Sequence, residues 1–179
     1  MEIKDIIRDY RNHEEYREEW AFWGDPQRVI NLEIAIELAG LAMCDGRKMS
    51  HQKLIPKPTL AGYAKELLKR KHEIGEVQSF PELLKITASC RIYGIGELAV
   101  YDAAFRIGIF LRIEPDAVYL HAGPRIGAEN LLKRRLFPSK VKTITKEDLP
   151  EAFRDCSYAE IEAILCIYKD CFATLRCNS

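Results

Sequence analysis

The feature that most constrains the fold is the run Tyr93-Gly94-Ile95-Gly96, set between two stretches of helical apolar spacing. Ahead of it, Leu83, Leu84, Ile86 and Ala88 form a short helix-like pattern. After it, Leu98, Tyr101, Ala104, Phe105, Gly108 and Ile109 recur at helical intervals, one face of an amphipathic helix over 97–111. Glycine tolerates positive φ and close backbone approach, so the spacing predicts a tight turn between two packed helices. The start of the second helix would offer unpaired N–H donors and partial positive charge, where a phosphate is stabilised. Tyr93, Gly94, Ile95 and Gly96 are therefore candidate nucleic-acid contacts. Glu97 opposes them, because a first-turn carboxylate satisfies the helix dipole from within and repels an anion. A turn used only to pack two helices is the competing reading.

Read in order, the rest of the chain is helical too. A charged helix with Ile3, Ile6, Ile7, Tyr10, Tyr16 and Trp20 on one side is expected over 2–23, ending at Gly24-Asp25-Pro26. Asp25 is placed to cap a second, nearly all-apolar helix running to Cys44, with Pro26 at its first position. A polar loop over 47–58 precedes a helix from Thr59 to about Ile74. Ser79 and Glu82 have capping-box spacing ahead of the helix before the turn. The start of a short helix is expected at 116–120, a further helix spans Arg125–Leu136, and Ser157 with Glu160 opens a last helix to about Leu175. No strand alternation of useful length occurs. The expectation is an all-α fold, a single compact helical domain over 1–179 with the two-helix turn region at 81–136 and flanking N- and C-terminal helices.

The turn and its flanks resemble a helix-hairpin-helix motif of the endonuclease III-like DNA glycosylase superfamily. That family follows its hairpin, some twenty residues on, with a Val-Asp-Thr-His-x-x-Arg-like turn. Here the comparable stretch is Val118-Tyr119-Leu120-His121-Ala122-Gly123-Pro124-Arg125, in which Val118, His121 and Arg125 match in type with one extra residue before the arginine. Tyr119 stands where the family has its catalytic aspartate, and Leu98 where bifunctional members carry lysine; Asp116 could substitute only with a three-residue shift. The resemblance covers about forty residues and implies a glycosylase-like fold that binds DNA or RNA without standard glycosylase chemistry. Arg47-x-Met49-x-His51-Gln52, Tyr101-Asp102-x-Ala104-x-Arg106 and Tyr119-Leu120-His121-Ala122-Gly123 also resemble a group of uncharacterised bacterial proteins, which brings no activity with it.

The net charge of zero conceals blocks. Residues 46–72 hold eight Lys/Arg against one acid and residues 131–146 hold six against none, while both ends of the chain are acidic. Lys53, Lys133 and Arg134 are the candidate phosphate contacts from these segments, through counterion release. Solvated helix faces offsetting the acidic ends explain the blocks equally well. A catalytic alternative has Asp102, His121 and Arg125 converge, with His51 completing the pocket: an aspartate to orient water, a histidine to move protons and an arginine to hold an anion. Asp102 and Arg106, four apart, can also form a plain helix-face ion pair. Six scattered cysteines without a Cys-x-x-Cys pair read as buried free thiols, and neither metal nor cofactor is expected. No apolar run reaches the roughly 18 residues that span a membrane. The chain reads as cytoplasmic. Its N-terminal aromatics Tyr16, Trp20, Phe22 and Trp23 could stack on bases, fill a core, or support a homodimer in a protein-interaction module.

Overall fold

The computed structural model describes residues 2–12, 14–133 and 140–175. In chain order its elements are α1 (Ile3–Asn12), α2 (Glu14–Gly24), α3 (Leu32–Leu41), β1 (Met43–Cys44), β2 (Arg47–Lys48), a 3-10 turn (Ser50–Gln52), α4 (Lys57–Lys69), α5 (Lys71–Glu76), α6 (Phe80–Ser89) and α7 (Glu97–Leu111). Then come β3 (Val118–Tyr119), α8 (Ala122–Leu131), β4 (Thr143–Ile144), 3-10 turns at Lys146–Asp148 and Glu151–Phe153, α9 (Tyr158–Ile167) and α10 (Lys169–Thr174). The fold is all-α, its strands being two-residue antiparallel pairs, β1 with β2 and β3 with β4. Among the described residues no helix is long and apolar enough to cross a membrane. Contacts gather the chain into two compact units: a central unit of residues 14–114, and a terminal unit of residues 1–13 with 115–179.

In the central unit α3 buries Ala35, Ile36 and Ala39 against α4 and α7. A Cβ on Gly40 would lie 2.5 Å from the Cα of Ala64, so only glycine lets α3 and α4 touch this closely. Helix α7 is lined by Ala99, Ala103, Ala104 and Ile107, all buried. Phe22 and Trp23 are buried, and Trp20 packs edge-on against Phe105 at 5.1 Å between centroids. Phe22 and Trp23 are core, which removes them as a stacking surface; Trp20 is half-buried, and the Tyr16 side chain lies outside what the structure describes. Several expected boundaries shift. Asp25 Oδ1 accepts the Gln27 N–H at 2.8 Å and closes a local turn, while Asn31 caps α3 by accepting from Ile34 at 2.9 Å. The helix expected over 59–74 begins at Lys57 and divides at Arg70 into α4 and α5. Around that junction Lys69 pairs with Glu66, Arg70 with Glu73 and Lys71 with Glu33, so three of the eight cations of the first basic block are paired within the fold. Ser79 sits at the cap of α6 without bonding through its side chain; Glu82 instead accepts from the Gln78 N–H at 2.9 Å.

In the terminal unit α9 packs on α8 and α1. Its capping box forms as the sequence predicts: Glu160 N–H donates to Ser157 Oγ at 3.1 Å, and Ser157 N–H to the Glu160 carboxylate at 2.8 Å. Arg11 reaches Glu160 at 2.9 Å and the Tyr168 hydroxyl donates to Asp9 at 2.6 Å, tying α1 to α9. The helix expected over 2–23 is thus shared out: α1 belongs to this unit and α2 to the other. Residues 118–119 are a strand rather than the start of a helix, because Val118 pairs with Ile144 and both are buried. Helix α8 starts at Ala122, and the expected extension over 134–136 lies outside the described residues. The last helix divides at Tyr168 into α9 and α10.

Candidate functional site

The turn between α6 and α7 has the form that its glycines predict. Gly94 adopts φ +89°, a conformation L side chains rarely take, and Ile95 N–H closes the turn on Ile92 O at 3.1 Å. Ile95 is buried, whereas Tyr93 is fully exposed at 101%. Gly96 is the N-cap of α7, extended at φ −88° and ψ 173°, with no side chain capping the helix. A Cβ there would meet nothing within 4 Å, so neither packing nor backbone geometry demands glycine at 96. At Gly94 a Cβ would come 3.1 Å from Thr59 Cγ2, which puts the turn against the first turn of α4. Helix α4 follows Pro56 and also lacks a side-chain cap. The first turn of α4 therefore lies beside the turn that leads into α7; both helices have first-turn N–H groups without an acceptor in their own helix, although Pro58 contributes none to α4. Lys53, Lys57 and Arg91 are exposed in these segments, and so is Glu97.

A second constellation lies deeper in the central unit. Arg106, 3% exposed, stands 3.0 Å from Glu19 of α2 and 3.8 Å from Asp102 one helical turn back. Its Nη2 donates to Gln52 Oε1 at 3.4 Å, and Gln52 Nε2 donates to Asp102 Oδ2. His51 Nδ1 lies 3.8 Å from the same Asp102 oxygen, with its ring 41% exposed. Burial alone would push the Asp102 carboxyl up. The contacts with His51, Arg106 and Gln52 outweigh that and hold it below its ordinary value. Of the catalytic candidates, the structure thus joins His51 to Asp102, fifty-one residues apart. Sequence reasoning missed Glu19 and, though it met Gln52 beside His51, gave it no role in a site. Glu19 carries no local signal, and Gln52 could have been found only through its place beside His51.

The other two candidates belong to the terminal unit. His121 is the N-cap of α8, nearly buried, with Nε2 2.8 Å from Glu162 Oε1. Arg125 Nη2 donates to the Val141 carbonyl, and its Nη1 is buried without an acceptor among the described residues. Lys133 donates to the carbonyls of Phe172 and Ala173 at 2.9 and 3.3 Å, capping the end of α10. That bond ties the ammonium to the fold. Arg134 lies outside the described residues. Cys44, Cys90 and Cys156 are free thiols whose pKa values burial raises, for Cys44 to about 11, and Cys177 is also outside the described residues. Among the described residues no group of three or more metal-capable side chains assembles. In comparisons with known proteins, no family model, curated protein or solved structure matches the chain.

Proposed function

We propose that the protein binds the sugar–phosphate backbone of a nucleic acid where the Gly94 turn meets the first turns of α4 and α7. The observation that carries this reading is the packing of Gly94, at positive φ, by Thr59, which brings the uncapped first turn of α4 against the turn that leads into the equally uncapped α7. Partial positive charge and free donors at such ends favour an oxyanion. The open face at Gly96 leaves room for a phosphate to reach the backbone, and exposed Tyr93 offers a ring on which a base can stack. Lys53, Lys57 and Arg91 add charge that attracts the strand from a distance. Glu97 weakens the site and sets its affinity below that of a neutral first turn.

The test is fluorescence anisotropy of a labelled single-stranded oligonucleotide across a salt series. The parent protein should bind with log K falling linearly in log salt. Gly96→Val fits the extended backbone and the open space, so it should melt like the parent yet bind at least tenfold more weakly; Glu97→Gln should bind more tightly. An affinity that ignores both salt and the Gly96 substitution refutes the proposal.

A further inference from the structure

Arg106 needs one buried carboxylate for balance, and Glu19 at 3.0 Å supplies it. Asp102 is then surplus. Two carboxylates and one guanidinium leave the cluster one negative charge in excess, unless His51 carries a proton. Burying a second ion is costly, and Asp102 is held ionised there by its contacts with Gln52, Arg106 and His51 together. Its effect is local. Gln52 and Arg106 fix Asp102 from one side, and Asp102 faces Nδ1 of His51, the most exposed member of the set. A carboxylate so placed orients an imidazole and stabilises the imidazolium that forms when the ring takes a proton. The 3.8 Å separation suits a site without substrate, where catalytic hydrogen bonds are often long.

Both halves of the pair are tied to the hairpin end. Asp102 is five residues into α7, about 7.5 Å along its axis at about 1.5 Å per residue. The 3-10 turn that carries His51 runs through residues 53–56 into α4, whose first turn touches Gly94. A nucleic-acid strand advances about 3.4 Å per nucleotide. A phosphate held at the start of α7 therefore leaves the pair about two nucleotides away. We propose that His51, oriented by Asp102, is the general base of an RNA-cleaving site that acts on a strand held at the Gly94 turn. The reaction is a transesterification. Imidazole takes the proton from a ribose 2′-hydroxyl, O2′ bonds to the adjacent phosphorus, and the P–O5′ bond breaks. O5′ departs in line on the far side of the phosphorus and takes a proton from solvent, to which the imidazolium releases its own. The products are a 2′,3′-cyclic phosphate and a 5′-hydroxyl, with no water, oxidant or second substrate consumed. DNA, which lacks the 2′-hydroxyl, is bound and left intact.

This inference rests on the nucleic-acid reading of the hairpin, so the test separates the two. The full chain is incubated with a fluorescent 12-nucleotide RNA, its 2′-O-methyl counterpart and its DNA counterpart. Binding is followed by anisotropy and products by denaturing gel and mass spectrometry. The expected result is binding of all three strands and cleavage of the unmodified RNA alone, leaving cyclic-phosphate ends. His51→Ala, prepared identically, should cut about 100-fold more slowly or less, the scale of general-base catalysis. Asp102→Asn, a positioning change, should displace the pH–rate profile, which a loss of folded protein would not do. RNA that is bound but stays intact, or is cut equally by His51→Ala, overturns the inference and leaves the hairpin reading standing. Failure to bind any strand overturns both. If His51→Ala fails to fold, cleavage of the 2′-O-methyl strand by the parent still overturns the mechanism.

Discussion

Gly127→Ala should destabilise the protein although it replaces a helix-interior glycine by the best helix former. In an open helix that exchange stabilises by about 1 kcal/mol. Gly127, however, lies in α8 with the backbone of α9 directly over it. A Cβ built there would overlap the Leu165 carbonyl oxygen, with the carbonyl carbon 2.7 Å away and the Cα 3.0 Å away. The obstacle is main chain, which cannot rotate aside, so the two helices must separate by about 1 Å. Overpacking of a filled core costs about 1–3 kcal/mol, and backbone obstruction belongs at the upper end. Offset by the propensity gain, the net loss is about 1–2 kcal/mol. With a urea m-value of about 2 kcal/mol/M, the midpoint should fall by about 0.5–1 M. Far-UV circular dichroism is the probe, because the chain's two tryptophans, Trp20 and Trp23, belong to the central unit and Gly127 to the terminal one. Gly24→Ala is the control: a Cβ there meets nothing within 4 Å, and the midpoint should not fall. A Gly127→Ala protein as stable as the parent, or more so, would refute the idea that α8 and α9 are joined at backbone contact.

Two further outcomes follow from the same structure. The depressed pKa of Asp102 means that its stabilisation is present above the ordinary carboxylate value of about 3.9 and is lost as pH falls below it toward the folded-state value. Asp102→Asn, which has no such charge to lose, should show a shallower decline in Tm between pH 5 and pH 2; parallel declines would mean that the buried carboxylate is not coupled to folding. Ser157→Ala removes one half of the capping box on α9 and should lower stability by about 1 kcal/mol in urea, with a change under about 0.3 kcal/mol counting against the cap.

Features set by a few neighbouring residues were legible in the sequence. The span of α7 and the Ser157–Glu160 box depend on spacing and capping chemistry confined to a few residues, and both form as expected. Failures came where two local signals competed or a tertiary contact decided. Asp25-Pro26 looks like a helix start, yet Asp25 closes its own turn and Asn31 caps six residues later, where the apolar run truly begins. Val118–Tyr119 became a strand because Thr143–Ile144 lies alongside, a partner some twenty-five residues away that no helical period announces. The split of 2–23 between two units depends on what each half packs against, and both halves carry similar amphipathic patterns.

The site divides along the same line. The Asp102–Arg106 pair was legible because four residues on a helix are neighbours, and it forms at 3.8 Å. Yet the shorter partner of Arg106 is Glu19 at 3.0 Å, from a different helix. Helical spacing reports which groups can meet within one element, but a buried guanidinium takes whatever carboxylate the packing of α2 on α7 brings to it. Asp102, still 3.8 Å from Arg106, is left to meet Gln52 and His51 as well. The sequence offered Asp102 first as a structural ion pair; the tertiary partner of Arg106 is what makes it available to a histidine. His121 and Arg125, read as members of the same pocket, belong to the terminal unit, where they meet Glu162 and the Val141 carbonyl. A catalytic set cannot be assembled from residue types alone, because tertiary packing decides which charged groups meet.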